Sequence, residues 1–191
     1  MPVLNLDELV TYSKANPGKV NFGSVGIGSS AHFVTEYFKS RTGADLTHVP
    51  YAGAPAILQA ALRGDVHLLM ETPALVKSQV EDGKLRALAV TGDSRYAPLA
   101  QVPSTKEAGV PDLDFGFWMG VFAPKGTPPA TVSKLNAVLT EIVKSPGMRN
   151  RLTEMGYVPV GSSSQQFSER VDDAITRFTR IALENKLRIQ E

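Results

Sequence analysis

With 191 residues the chain is long enough to bury a sizeable core, as one large domain or two small ones. Its 20 basic and 19 acidic side chains leave a net charge of +1, so no global field recruits nucleic acid or an anionic membrane, and an anionic guest must be caught locally. The lack of cysteine excludes thiol catalysis, disulfides and cysteine-ligated zinc; His32, His48 and His67 show no H-x-x-x-H spacing, and no metal or cofactor is assigned.

MPVLNLDELV lacks the basic and apolar regions of a signal peptide, and no apolar run is long enough to span a bilayer, so the chain reads as soluble and without an export signal. Asn5 and Glu8 have capping-box spacing before a short helix that Asn16-Pro17-Gly18 stops. VNFGS at 20–24 reads as a buried strand, and a helix from Ser29 or Ser30 carries Phe33, Tyr37 and Phe38 before Gly43 ends it. LTHVPY at 46–51 is the next strand, followed by a helix between Gly53 and Gly64. VHLLM at 66–70 is a third strand, and Thr72-Pro73 starts a helix that Gly83 closes, with proline where its missing N–H does no harm. LRALAVT at 85–91 completes four expected strands. Strands alternating with ten-residue helices predict an α/β fold with a parallel-rich sheet flanked by helices.

The rhythm changes after Thr91. Residues 92–114 hold Gly92, Pro98, Pro103, Gly109 and Pro111 and read as connecting material with a short helix near Ser104 to Ala108. FGFWMGVFAP at 115–124 is too rich in bulky residues for an exposed edge. Helices are expected from Pro129 to Lys144 and from Pro146 to Met155, then a short strand YVPVG. A long helix from Ser164 gathers Phe167, Val171, Ile175, Phe178, Ile181 and Ala182 on one side. This second half has more helices than its strands can bury.

The stretch FGSVGIGSSAH at 22–32 is the chemically suggestive one. Glycines let backbone N–H groups approach a ligand, and a helix start adds partial positive charge. Gly26, Gly28 and Ala31 fit the loose dinucleotide pattern, but the end of the second strand, HVPYAG, has no acid to hold a ribose, and no G-K-[ST] marks a P-loop. A plain strand-to-helix turn would explain the glycines alone. Ser24, Ser29 and Ser30 add hydroxyl donors, which suits a carboxylate. In an open parallel sheet the loop should share one rim with Pro50 to Gly53, Glu71 to Ala74 and Thr91. There, Tyr51 could stack on a ligand or simply pack, Glu71 could accept a ligand N–H or cap the Thr72 helix, and His32 could donate to an anion; His48 and His67 read as structural. No G-x-S-x-G elbow or paired-carboxylate cleft is present, and a serine nucleophile would need an acid that nothing marks, so no catalysis is expected.

The blocks KANPGKVNFGSVGIGSSAH, HVPYAGAPAILQAALRGDVHLLMETPA, GKLRALAVTGDSRYAPLAQVPSTKEAGVPD and FWMGVFAPKGTPPATVSKLN, taken in order, resemble the Bug-type substrate-binding proteins, the periplasmic receptors of tripartite tricarboxylate transporters. The resemblance runs over nearly the whole chain. It implies a periplasmic-binding-protein-like fold of two α/β domains closing on a small carboxylate, delivery of that carboxylate to membrane transport subunits, a periplasmic location and no catalytic step. The implied site matches Ser24, Gly26, Ile27, Gly28, Ser29 and Ser30 of the loop. Tyr51, Gly53, Glu71, Thr72 and Ala74 would complete the wall, and His32 joins the candidate site from its place on the first turn of its helix. Residues 1–119 would form the ligand-binding domain and 120–191 the C-terminal part of the other, hinge-linked domain, whose N-terminal part is absent from this chain. Trp118 would then lie near the hinge. The uncovered apolar side of Phe167, Val171, Ile175 and Phe178 could pair with another copy, which leaves a non-binding dimerisation domain as the alternative.

Overall fold

A computed structural model of the chain describes residues 1–111 and 113–184. These fall into two units, Met1–Phe117 together with residues 182–184, and Trp118–Ile181. Residues 185–191 of the expected second domain lie outside the described residues.

The first unit is built on three parallel strands, β1 (Asn21–Ser24), β2 (Thr47–Pro50) and β3 (Leu68–Leu69), in the order β2-β1-β3. Helices α1 (Leu6–Ala15), α2 (Ser30–Thr42), α3 (Ala54–Arg63) and α4 (Pro73–Glu81) alternate with them. This is the α/β alternation read from the sequence, and local chemistry fixes each helix. The Asn5 side chain accepts the Glu8 N–H at 2.8 Å while Glu8 accepts the Leu4 N–H at 2.7 Å. Ser29 caps α2, and Gly43 ends it in the left-handed region at φ 70°. Gly64 ends α3 in the same way at φ 84°.

The core lies between β1 and its covering helices. Phe22, Leu9, Phe38 and Ile57 are fully buried, with Val20 and Val66 beside them. Phe115 closes one side of α2, its ring edge-on to Phe33 at 5.9 Å and to Tyr37 at 5.4 Å between centroids.

Two expectations for this unit fail. Residues 85–91 add no fourth strand; Val90 instead forms a lone parallel bridge with Ser104. Its N–H donates to Pro103 O and its carbonyl accepts from Thr105 N–H, both at 2.8 Å, so the nearby 103–105 loop satisfies the backbone that the sheet was expected to claim. Thr91 is therefore not carried to the rim by a strand of the sheet. The helix expected near Ser104 to Ala108 is a single capped turn: Glu107 accepts the Ser104 N–H at 2.8 Å and Ser104 Oγ accepts the Glu107 N–H at 3.1 Å. Gly109, at φ 79°, and Pro111 then stop it.

The second unit contains α5 (Pro129–Lys144), α6 (Pro146–Glu154) and, as far as Ile181, α7 (Ser164–Glu184), with no strand among its described residues. YVPVG stays irregular, since Pro159 brings no donor to a ladder and Val158 and Val160 are exposed. FGFWMGVFAP was expected inside, yet Phe117, Met119, Val121 and Phe122 are exposed. What packing it has in this unit centres on Phe167: Trp118 meets that ring edge-on at 5.5 Å and Phe122 at 5.1 Å. On α7, Phe167, Val171 and Phe178 are half-buried and Ile181 buried, leaving Ile175 exposed. The apolar stripe that faces outward is on α5, where Leu135, Val138, Leu139 and Ile142 are exposed at i, i+3, i+4 and i+7 spacing.

Candidate functional site

The parallel register puts Ser24 level with Pro50 and Gly23 level with Leu69, so the loops that leave β1, β2 and β3 emerge at one edge of the sheet. That edge carries the Gly/Ser loop to α2, Tyr51 to Gly53 before α3, and Glu71 and Thr72 before α4. The Tyr51 N–H donates to Ser24 O at 2.9 Å, which ties two of these loops together.

Within the glycine loop, the hydrogen bonds sort the amides into used and free. Gly26 N–H donates to Ser24 Oγ at 3.1 Å, Gly28 N–H to His32 Nδ1 at 3.3 Å, and Ser29 N–H to Gly26 O at 3.2 Å. The His32 N–H goes to the capping Ser29 Oγ at 3.3 Å. Val25, Ile27, Ser30 and Ala31 are left with backbone N–H groups that have no partner among the described residues; the last two are the first two amides of α2. Gly26 and Gly28, at φ 117° and 82°, shape the loop that presents them. Ser30 is exposed and Ser29 half-buried, so their hydroxyls stand at the same helix start.

Other expected site residues take different places. Ser24 is 0% exposed, and its Oγ is engaged by Gly26 and by His48 Nε2 at 2.7 Å. It shapes the loop from beneath. His32 is buried and uses Nδ1 as an acceptor, so that nitrogen has no proton to give an anion. Tyr51, Gly53 and Thr72 are half-buried and Ala74 is exposed. Glu71 is half-buried, and burial pushes its carboxyl above the ordinary glutamate range, with the Thr72 backbone hydrogen bond opposing.

His48 is the residue that sequence reasoning passed over. Its ring stacks on Phe22 at 4.9 Å and tilts against His32 at 4.4 Å. Phe22 pairs with His48 in the β1–β2 register, and side chains two apart share a face, so Phe22, Ser24 and His48 lie on one side of the sheet. That register was the available signal. Burial is the main cause that pushes both His32 and His48 below the ordinary histidine range; the charge on His32 comes next in lowering His48, Glu36 opposes in each case, and Lys39 adds to the lowering. His67 has a separate role, its Nδ1 accepting the Asn21 N–H at 3.0 Å. Among the described residues no group of three or more histidine, aspartate or glutamate side chains is placed to hold a metal ion, and no helix is long and apolar enough to cross a membrane.

A loop of free amides at a helix start suits an anion, and comparison with known proteins narrows the setting. Residues 1–187 match the tripartite tricarboxylate transporter family receptor, TctC. The chain belongs to this family. TctC proteins are transport receptors and not enzymes. The chain is similar to Rpa4515 of R. palustris, solved with adipate, at 34% identity and a TM-score of 0.90, over 97% of this chain and 62% of that one. It is also similar to the periplasmic binding protein BugD, at 26% identity and a TM-score of 0.90, over 100% of this chain and 64% of BugD. MatC of Rhodopseudomonas palustris, solved with malate, matches at 28% identity and a TM-score of 0.85, over 94% of this chain and 62% of MatC. The α/β fold is therefore that of a periplasmic binding protein. The chain spans about half the length of the first curated TctC relatives, 55%, 53% and 54% of them.

Proposed function

We propose that this chain is the solute-binding part of a periplasmic receptor that captures a small carboxylate, a di- or tricarboxylate or an aromatic acid, for the membrane subunits of a tripartite tricarboxylate transporter. The observation that carries this reading is the set of unengaged amides at Ile27, Ser30 and Ala31, opened toward the start of α2 in a chain of the TctC family. A carboxylate brings the negative charge and lone pairs that these donors lack. Adipate in Rpa4515 and malate in MatC are ligands of that chemistry on related folds. Ser29 and Ser30 supply hydroxyls beside the amides, while Tyr51, Gly53, Glu71, Thr72 and Ala74 form the neighbouring wall at the same sheet edge. Gly26 and Gly28 give the loop its path, and Ser24 and His32 act on its shape.

Calorimetric titration with malate, adipate and acetate, with a nucleotide as control, tests the reading. Saturable heat with a carboxylate alone supports it, with affinity reduced about tenfold when Ser29→Ala and Ser30→Ala are combined. An unchanged affinity in the double variant sinks the site assignment.

A second reading is favoured by one observation, the outward apolar stripe of α5. Leu135, Val138 and Ile142 are 50%, 47% and 43% exposed, a face that a second copy of the chain would cover. On this reading the chain is a dimerisation domain without solute affinity.

A further inference from the structure

The hydroxyl of Ser24 stands within hydrogen-bonding distance of three groups: Gly26 N–H at 3.1 Å, Gly26 O at 3.0 Å and His48 Nε2 at 2.7 Å. A serine hydroxyl has one proton and two lone pairs. The Gly26 N–H takes one lone pair and the Gly26 carbonyl takes the proton. All three contacts are made at once only when the remaining lone pair accepts from His48, that is, when His48 carries its proton on Nε2. His32 is constrained in a parallel way, because its Nδ1 accepts the Gly28 N–H at 3.3 Å and must be bare. Its proton is then on Nε2 too.

We propose that His48 and His32 are positioning residues for the glycine loop, held as neutral Nε2–H tautomers, and that together they fix the path that presents the free amides of Ile27, Ser30 and Ala31. His48 acts through Ser24 on Gly26, and His32 acts directly on Gly28. The two positive-φ glycines of the loop are thus both anchored by their amides, Gly26 to Ser24, the partner of His48, and Gly28 to His32 itself. The effect on binding rests on the carboxylate reading above; the tautomers and the anchoring do not.

The surroundings favour the neutral rings. β1 faces them with the apolar ring of Phe22, stacked on His48 at 4.9 Å. β2 contributes His48 itself, and α2 contributes Glu36 and Lys39, which are paired with each other at 2.8 Å. Lys39 Nζ lies 5.7 Å from the centre of the Phe22 ring. Burial acts on both imidazoles in the same direction, against the charged form.

An unusual pH dependence follows. A proton on His32 Nδ1 would set two donors face to face and release Gly28. By charge alone, a histidine gaining a proton near an anion should tighten binding as pH falls. Here acidification loosens the loop, so carboxylate affinity falls instead.

The test uses three variants of the full chain. His32→Asn places an acceptor oxygen near the Nδ1 position without a titrating proton, His48→Gln keeps a donor near the Nε2 position, and His48→Ala removes it. Without any ligand, two-bond proton–nitrogen correlation spectra read the tautomers, and the amide shifts of Gly26 and Gly28 read the loop. We expect Nε2–H for both rings, a displaced Gly26 amide in His48→Ala and its near-return in His48→Gln. With malate, affinity in the wild-type chain should fall further on acidification than in His32→Asn, by about five- to tenfold in all. The extra fall should come below the ordinary histidine value of 6.5, because burial lowers the ring's pKa. Malate's own protonation is common to both and cancels. An Nδ1–H tautomer at either ring, glycine amides indifferent to His48→Ala, or malate binding with the same pH profile in His32→Asn would overturn the proposal. If malate binds no variant at any pH while the tautomers and amide shifts come out as expected, the carboxylate reading fails and the positioning pair stands.

Discussion

Gly23 and Ile57 meet with no room for a methyl group between them: a Cβ on Gly23 would come 2.6 Å from Ile57 Cγ2 and 3.4 Å from Val66 Cγ1. Gly23 lies in β1, the central strand, and Ile57 is fully buried on α3. The missing side chain lets α3 lie close against the strand whose next residue, Ser24, begins the glycine loop. Gly23→Ala is expected to cost about 1–3 kcal/mol through overpacking, read as a lower denaturation midpoint at unchanged slope. Ile57→Ala is itself costly but vacates the space. The double variant should therefore lose less than the sum of the two single losses.

Ser29 has two jobs that mutagenesis can separate. Its Oγ accepts the His32 N–H as the cap of α2, and its hydroxyl stands at the candidate anion site. Ser29→Ala should cost about 1 kcal/mol of stability. Ser29→Asp keeps an N-cap acceptor but puts a carboxylate where the ligand's would go. Its stability should stay near wild type while carboxylate binding is lost, as seen by thermal unfolding and calorimetry on the same samples.

Glu71 gives a stability prediction with a definite sign. Burial raises its carboxyl pKa in the folded chain, so the folded state holds its proton more tightly than the unfolded state. The corresponding stability is fully present below the ordinary glutamate value of 4.5 and is lost as pH rises through the folded value. Glu71→Gln should therefore be more stable than wild type at neutral pH. The difference should vanish in acid, which paired melting curves at the two pH values would show.

The α5 stripe bears on the alternative reading. Leu135→Lys with Ile142→Lys charges an already exposed face and should leave the folded unit largely intact. If a second copy covers that face, sedimentation will show a wild-type dimer and a monomeric variant. A wild-type monomer at the same concentration excludes self-association as the chain's role.

Helices were legible because their boundaries are written locally. Asn5 with Glu8, Ser29 with Gly43, and Gly53 with Gly64 mark three helix starts and two stops, each by residues next to the boundary. LRALAVT was not legible, since a strand needs a partner and the backbone partner it found was Pro103 to Thr105. The glycine loop could be read as an anion nest from composition alone. Which amides stay free could not, because Gly26 and Gly28 are claimed by side chains from Ser24 and His32, and Ser24 is braced by His48, 24 residues away. Strand register, not periodicity, brings that histidine beneath the loop.

The central claim is that three backbone amides hold the ligand's carboxylate, and a proton–nitrogen spectrum observes each of them separately. Adipate titrated into the labelled chain should shift the Ile27, Ser30 and Ala31 amides saturably, with one common dissociation constant. Saturable binding that leaves those three amides unmoved, or amides that stay fixed up to about millimolar adipate, the weak end of specific binding, would contradict the account.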